Sequence, residues 1–179
     1  MRLSRAGLSR TVQLLLAATA LALAAAGRAG IAAAAEALAG AAAPDFVLKS
    51  AGGSNIRLSE YRGEVVLLSF WATWCGDCRA QLDALADARD VYGSAGLALL
   101  AVNLDRDDMT ARKAAADMSA AFPVLHDQGG EVGRLYDVGT LPTAILIDRD
   151  GRVRKVFEGY RRGDERLYAE ETERLLREY

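Results

Sequence analysis

Once Pro44 is passed, apolar and polar positions in this chain follow two alternating periods. "DFVLKS" and "NIRLS" flank "AGGS", and this turn chemistry between short alternating runs predicts a hairpin. The continuous apolar run "EVVLLSFW" predicts a strand buried on both faces. From Gly76 to about Tyr92, Leu82, Leu85 and Val91 recur among charged residues at helical spacing. "GLALLAVNLD" predicts a second buried strand, and "DDMTARKAAADMSAA" a second helix, its opening acids suited to a helix N-terminus. A short extended piece at "FPVLHD" and a short helix at "GEVGRLYDV" follow. "TAILIDRDGRVRKVFEG" reads as two strands joined at Asp150–Gly151, a strong hairpin signal. From Asp164 to Tyr179, Leu167, Tyr168, Thr172, Leu175, Leu176 and Tyr179 fall along one helical stripe.

The order is therefore β, α, β, α, β, β, α behind a hairpin. A β–α–β opening requires parallel strands with a covering crossover, and the later hairpin adds antiparallel neighbours. The expected fold is α/β, with a mixed central sheet between helices.

Before Pro44 the pattern is different. Arg2, Arg5 and Arg10 precede an apolar run from about Val12 to Ala26, followed by small residues to Ala43. Residues 1–35 read as a secretory signal peptide, or as an N-terminal membrane anchor if it is not cleaved. The first reading places the protein in the periplasm by a Sec-type signal, and the second leaves it in the inner membrane facing the same compartment. Residues 36–44 read as an Ala-rich linker, which leaves 45–179 as the folded domain. With 179 residues and 51% hydrophobic content the chain has room for one domain with a sizeable core. The formal net charge of -2 gives no reason to expect nucleic acid as a partner.

Two cysteines are present, both inside "WATWCGDCRAQL". Cys75 and Cys78 stand where the buried strand turns into the first helix. A thiol there meets unpaired backbone N–H groups and the positive end of the helix dipole, which favour thiolate. Cys75 is the expected nucleophile. Cys78, one turn on and better covered, is the expected resolving thiol. Structural zinc asks for four ligands, whereas this chain offers two cysteines and the single His126. A purely structural disulfide over so short a loop constrains little of the unfolded chain. Redox chemistry accounts for the pair best, with the Cys75–Cys78 disulfide as the only redox centre expected and no cofactor.

"FWATWCGDC" after a buried strand, "VGTLPTAILIDRDG" further on, and the lead-in "PDFVLKSAGG" with "IRLSEYRGEVVLL" together resemble the TlpA/ResA-like branch of the thioredoxin family. These are exported disulfide reductases that include cytochrome c maturation proteins. The resemblance covers Pro44 to Tyr179 and implies a thioredoxin-like fold with an N-terminal β-hairpin and an inserted βα element at about 97–122. It also implies that Pro142 is a cis-proline facing the dithiol and that the backbone of Leu141 pairs with an extended substrate segment. Trp74, Gly76 and Asp77 complete the supporting set. Trp74 is expected to cover the disulfide and the substrate groove, whereas Trp71 is read as core or as a shield for the second thiol. By the same route the partners are protein disulfides, among them apocytochrome c or copper-site cysteines, and a membrane thiol donor of the DsbD or CcdA type.

Several positions depart from that pattern. Asp77 stands where relatives carry proline. Its charge disfavours thiolate and so predicts a more reducing couple, although the residue also suits a helix start. Gln81 replaces a glutamate credited with proton transfer and cannot titrate. Ser69 stands where thioredoxins have a buried aspartate, and Asp83 where relatives have a kinking proline, which predicts a straighter helix. His126 reads as a surface turn residue, and Tyr61, Tyr136 and Phe157 as packing. Two rival functions stay open. Peroxiredoxins share the fold but place threonine and proline where this chain has Ala72 and Leu68. A Sco-like copper carrier would exploit the affinity of two thiolates for Cu(I), but uses wider cysteine spacing.

Overall fold

The computed structural model of the protein describes residues 38–117 and 122–178. The expected signal or anchor, the end of the second helix and Tyr179 lie outside the described residues. Seven strands form one sheet in the order β2-β1-β5-β4-β3-β6-β7. They are β1 (Val47–Ser50), β2 (Asn55–Arg57), β3 (Val65–Trp71), β4 (Leu97–Asn103), β5 (Val124–His126), β6 (Thr143–Ile147) and β7 (Val153–Glu158). Helices α1 (Cys78–Tyr92), α2 (Asp108–Asp117), α3 (Glu131–Leu135) and α4 (Asp164–Leu176) connect or follow them. β3 runs parallel to β4 and antiparallel to β6, which makes the mixed sheet that the element order implies.

β3 is buried along its whole length, and its side chains alternate between two cores. Val65, Leu67 and Trp71 face the layer that holds Leu82 and Leu85 of α1 and Tyr168 and Leu175 of α4. Val66, Leu68 and Phe70 face Tyr136, Val132 and Phe46 on the other side. Burying a Leu, Val or Phe side chain contributes about 1.5–3 kcal/mol, so this strand anchors whatever its C-terminal end carries. That end leads directly to the cysteines. Tyr136 and Phe157 pack as expected: Tyr136 against Phe70, with ring centroids 5.5 Å apart, and Phe157 edge-on to Tyr168 at 4.8 Å.

Four details differ from the sequence pattern. "FPVLHD" is integral to the sheet: β5 lies parallel to β4 and antiparallel to β1, with Lys49 opposite His126, so it joins the front hairpin to the centre. His126 is thus a half-buried strand residue rather than a surface turn. The stretch read as linker is docked from Leu38 onward. Gly40 N–H donates to the Val153 carbonyl (2.7 Å), Ala43 N–H to that of Gly151 (2.8 Å), and Ala42 bridges Arg152. These are backbone contacts, which small side chains permit and a hydropathy pattern does not register. Val91 and Leu167 are exposed. On α4 the buried line runs through Tyr168, Thr172 and Leu175, and Leu167 lies about 100° around the helix from Tyr168.

The β6–β7 connection is closed by Asp148, whose backbone N–H donates to the Arg152 carbonyl and whose carboxylate accepts from the Arg152 N–H, both near 2.9 Å. Gly151 has φ of 73°, a left-handed backbone conformation that strains any residue with a Cβ, so glycine suits the turn. Among the described residues no helix is long and apolar enough to cross a membrane.

Candidate active site

Cys75 and Cys78 form a disulfide with Cα atoms 5.4 Å apart. The helix begins at Cys78, two residues later than its pattern predicts, with Asp77 at the N-cap. Gln81 is the first residue whose N–H reaches back to a carbonyl in the turn before the helix, that of Asp77 (3.1 Å). The earlier amides point toward the dithiol end of the helix. Cys78 is buried, with 1% of its surface exposed, whereas Cys75 is only partly covered. The two sulfurs of one bond therefore differ in access.

Two openings flank the disulfide. A groove of about 360 Å³ is lined by Trp74, Cys75, Gly76 and Asp77 on one side and Leu104, Val138, Gly139 and Leu141 on the other. Trp74 is 72% exposed, so it borders the groove rather than covering the disulfide. Gly76 has nothing within 4 Å of where a Cβ would sit and no positive φ; its bare backbone leaves the groove floor open. Pro142 is buried and joined to Leu141 by a cis peptide bond, and its carbonyl accepts from the Gly159 N–H at 2.7 Å. The second opening, about 200 Å³, is lined by Trp71, Thr73, Cys75, Cys78, Arg79 and Leu82, with Ala72 and Ala114. Trp71 is core, 4% exposed, and its indole N–H has no hydrogen-bond partner among the described residues.

The sequence reading missed two supports. The first lies one turn below Cys78. The Ser69 hydroxyl donates to Gln81 Oε1 at 3.1 Å, and Gln81 Nε2 donates to the Tyr168 hydroxyl at 3.0 Å, all three residues having no solvent exposure. Burial pushes the Tyr168 phenol up to about 12, so it stays neutral. The three residues belong to β3, α1 and α4, so this chain of amide and hydroxyl groups ties both helices to the sheet. Gln81 was legible as a departure, but its partners, 12 and 87 residues away, were not.

The second support holds the loop before Cys75. Asp105, 7% exposed, accepts from Thr73 N–H (3.0 Å), the Thr73 hydroxyl (3.0 Å) and Asn103 Nδ2 (2.8 Å). Leu104 N–H donates to the Trp71 carbonyl at 2.9 Å, so the end of β4 clamps the segment on which the nucleophile candidate sits and also delivers Leu104 to the groove.

Asp77 is exposed and makes no capping bond through its side chain, so its proposed benefit to the helix start is not realised as a hydrogen bond. Asp83, one turn into α1, pairs with Arg79 at 3.1 Å. Among the described residues no group of three or more His, Cys, Asp or Glu side chains is placed to hold a metal ion.

Comparison with known proteins gives one picture. The model of the AhpC/TSA family matches residues 39–156. The thiol-disulfide oxidoreductase ResA of Geobacillus thermodenitrificans is 38% identical over 120 residues, covering 67% of this chain and 69% of that one. ResA of Bacillus subtilis is 36% identical over 120 residues, 67% of each chain. Among solved structures, a thiol:disulfide interchange protein DsbE from Chlorobium tepidum superposes with a TM-score of 0.74 at 38% identity, over 77% of this chain and 97% of that one.

Proposed function

Because the chain belongs to the AhpC/TSA family and, within it, to the ResA-type thiol–disulfide oxidoreductases of thioredoxin-like fold, we propose that it reduces protein disulfides with Cys75 as nucleophile and Cys78 as resolving thiol. The observation that supports these roles is the unequal access within the bond: Cys75 borders the groove and is only partly covered, while Cys78, the first residue of α1, is 1% exposed. In the reduced protein the Cys75 thiolate attacks one sulfur of a substrate disulfide. A mixed disulfide forms and the other substrate sulfur leaves as a thiolate that takes up a proton. Cys78, deprotonated, then attacks Cys75 Sγ, releasing the second substrate thiol and closing the Cys75–Cys78 bond. Two electrons pass from protein to substrate.

The reading includes action outside the cytoplasm, supported by the Arg-led apolar run at the N-terminus and by the persistence of disulfides in such compartments. A membrane dithiol of the DsbD or CcdA type would restore the reduced state, and cysteines of apocytochrome c or of a copper site are the substrate class in view. Peroxide reduction fits the site less well: Ala72 and Leu68 stand where peroxiredoxins use threonine and proline, and Leu68 is wholly buried in β3.

Replacing Cys78 with alanine tests the scheme. The variant is expected to accumulate covalent adducts with substrate proteins through Cys75, released by dithiothreitol and absent when Cys75 is also replaced. Failure to trap any adduct in the exporting host, with Cys75 reactive to alkylating reagents, would overturn it.

A further inference from the structure

The groove beside Cys75 combines apolar walls with one uncompensated charge. Trp74, Leu104, Val138 and Leu141 supply the walls, and Asp77 is the only carboxyl among the lining residues. The nearest acid on α1, Asp83, is paired with Arg79, and the exposed Asp137 next to Val138 stands beside the groove without lining it. Asp77 has no ion pair or side-chain hydrogen bond among the described residues, although Arg79 is two positions away and turned to Asp83. The N-terminal helix dipole, worth about half a positive charge, offsets the Asp77 carboxylate only in part. On the opposite side of the disulfide the smaller cavity carries Arg79, already paired, and no carboxyl. Cys75 lines both openings, and of the two only the larger groove has a carboxyl among its lining residues.

Resting on the reading that Cys75 attacks substrate disulfides, we infer that Asp77 is a specificity-determining residue that selects substrate segments with a basic residue beside the target cysteine. An extended segment entering the groove lays apolar side chains on Leu104, Val138 and Leu141, and the residue next to its cysteine passes Asp77 as the mixed disulfide forms. A lysine or arginine there gains an ion pair; a glutamate or aspartate meets like charge. The contact is solvent-exposed, so the preference is modest, about two- to five-fold at low salt. It falls toward unity at 1 M salt, where the screening length is about 3 Å.

The test uses two blocked peptides, each with one cysteine held as a mixed disulfide with 5-thio-2-nitrobenzoate and flanked on both sides by arginine or by glutamate. The aromatic thiol is the better leaving group, so attack on the peptide sulfur releases it and colour reports the step. Each second-order rate for pre-reduced protein is divided by the rate of dithiothreitol with the same peptide, which removes the intrinsic reactivity of the peptide. The ratio between peptides also cancels any effect of Asp77 on the Cys75 thiolate itself. We expect the wild type to favour the arginine peptide two- to five-fold and Asp77→Asn to bring the ratio close to one. Equal rates in the wild type, or a preference that survives Asp77→Asn, would overturn the inference while leaving the dithiol reading intact. Release of colour from neither peptide would overturn both.

Discussion

Replacing Gln81 tests how the buried face of the dithiol is built. The Gln81 side chain joins Ser69 on β3 to Tyr168 on α4 through bonds of 3.1 and 3.0 Å, with no exposure at any of the three residues. Gln81→Leu keeps the volume but leaves two buried hydroxyls without their amide partner. Each orphaned group costs about 1–3 kcal/mol, and the added apolar surface returns part of that, so a net loss of about 2–4 kcal/mol is expected. Tyr168→Phe orphans only the Gln81 amide and is expected to cost about 1–3 kcal/mol. Removing every member together, as Ser69→Ala, Gln81→Leu and Tyr168→Phe, leaves no orphan, so the triple variant should lose less than the sum of its parts. Urea unfolding of the oxidised protein at neutral pH reads these differences from the midpoint and slope. If Gln81→Leu shifts stability by less than about 0.5 kcal/mol, or if the triple variant loses the full sum, the network does not hold α1 and α4 to the sheet.

Three further outcomes follow from named contacts. Asp105→Ala removes the acceptor for Thr73 N–H, its hydroxyl and Asn103, and is expected to cost about 2–4 kcal/mol in urea unfolding and to raise protease cleavage within residues 72–75; unchanged cleavage would show that the loop is held by other contacts. Asp77→Asn removes a charge that disfavours thiolate, so the Cys75/Cys78 couple should become more oxidising by about 5–20 mV, a figure obtained from the usual worth of an exposed charge and the conversion of 30 mV to about 1.4 kcal/mol; equilibration with glutathione measures it, and a shift to more negative potential would reverse the argument. Burial alone would raise the Asp45 carboxyl, but hydrogen bonds from Ser59 N–H, Arg57 and the Ser59 hydroxyl hold it below the ordinary aspartate value. A depressed folded value means that its contribution is present above the unfolded value of about 3.9 and is lost as pH falls through the folded one. The stability gap between wild type and Asp45→Asn should therefore be constant from pH 5 upward and shrink below pH 4, and a gap independent of pH would refute the assignment.

Short-range features were the legible ones. β3 announced itself because a strand buried on both faces needs an unbroken apolar run, and the cysteine turn because it follows that strand directly. What stayed hidden depends on partners distant in sequence. β5 has three residues, too few for a period to register, and it exists because β4 and β1 offer it hydrogen-bonding edges on both sides. Leu104 joined the groove only because β4 ends beside the Trp71 carbonyl, a consequence of the β3–β4 register with Trp71 opposite Asn103. Residues 38–44 are fixed by backbone bonds to the β6–β7 turn, which composition cannot reveal.

The same register explains why this site keeps its chemistry with neutral residues beneath it. Alternation along β3 sends Ser69 and Trp71 to the α1 face, the face on which Cys78 lies. Every polar group placed there must find a partner, because the layer is closed to water. Ser69 and Gln81 find theirs in each other and in Tyr168, and an uncharged chain costs less to bury than a carboxylate would. None of the residues lining the 200 Å³ cavity beside Cys78 carries a carboxyl. Charge is kept for the exposed rim, where Asp77 acts at the groove without being desolvated. In this chain the buried side of the dithiol provides rigidity, and the open side provides the electrostatics.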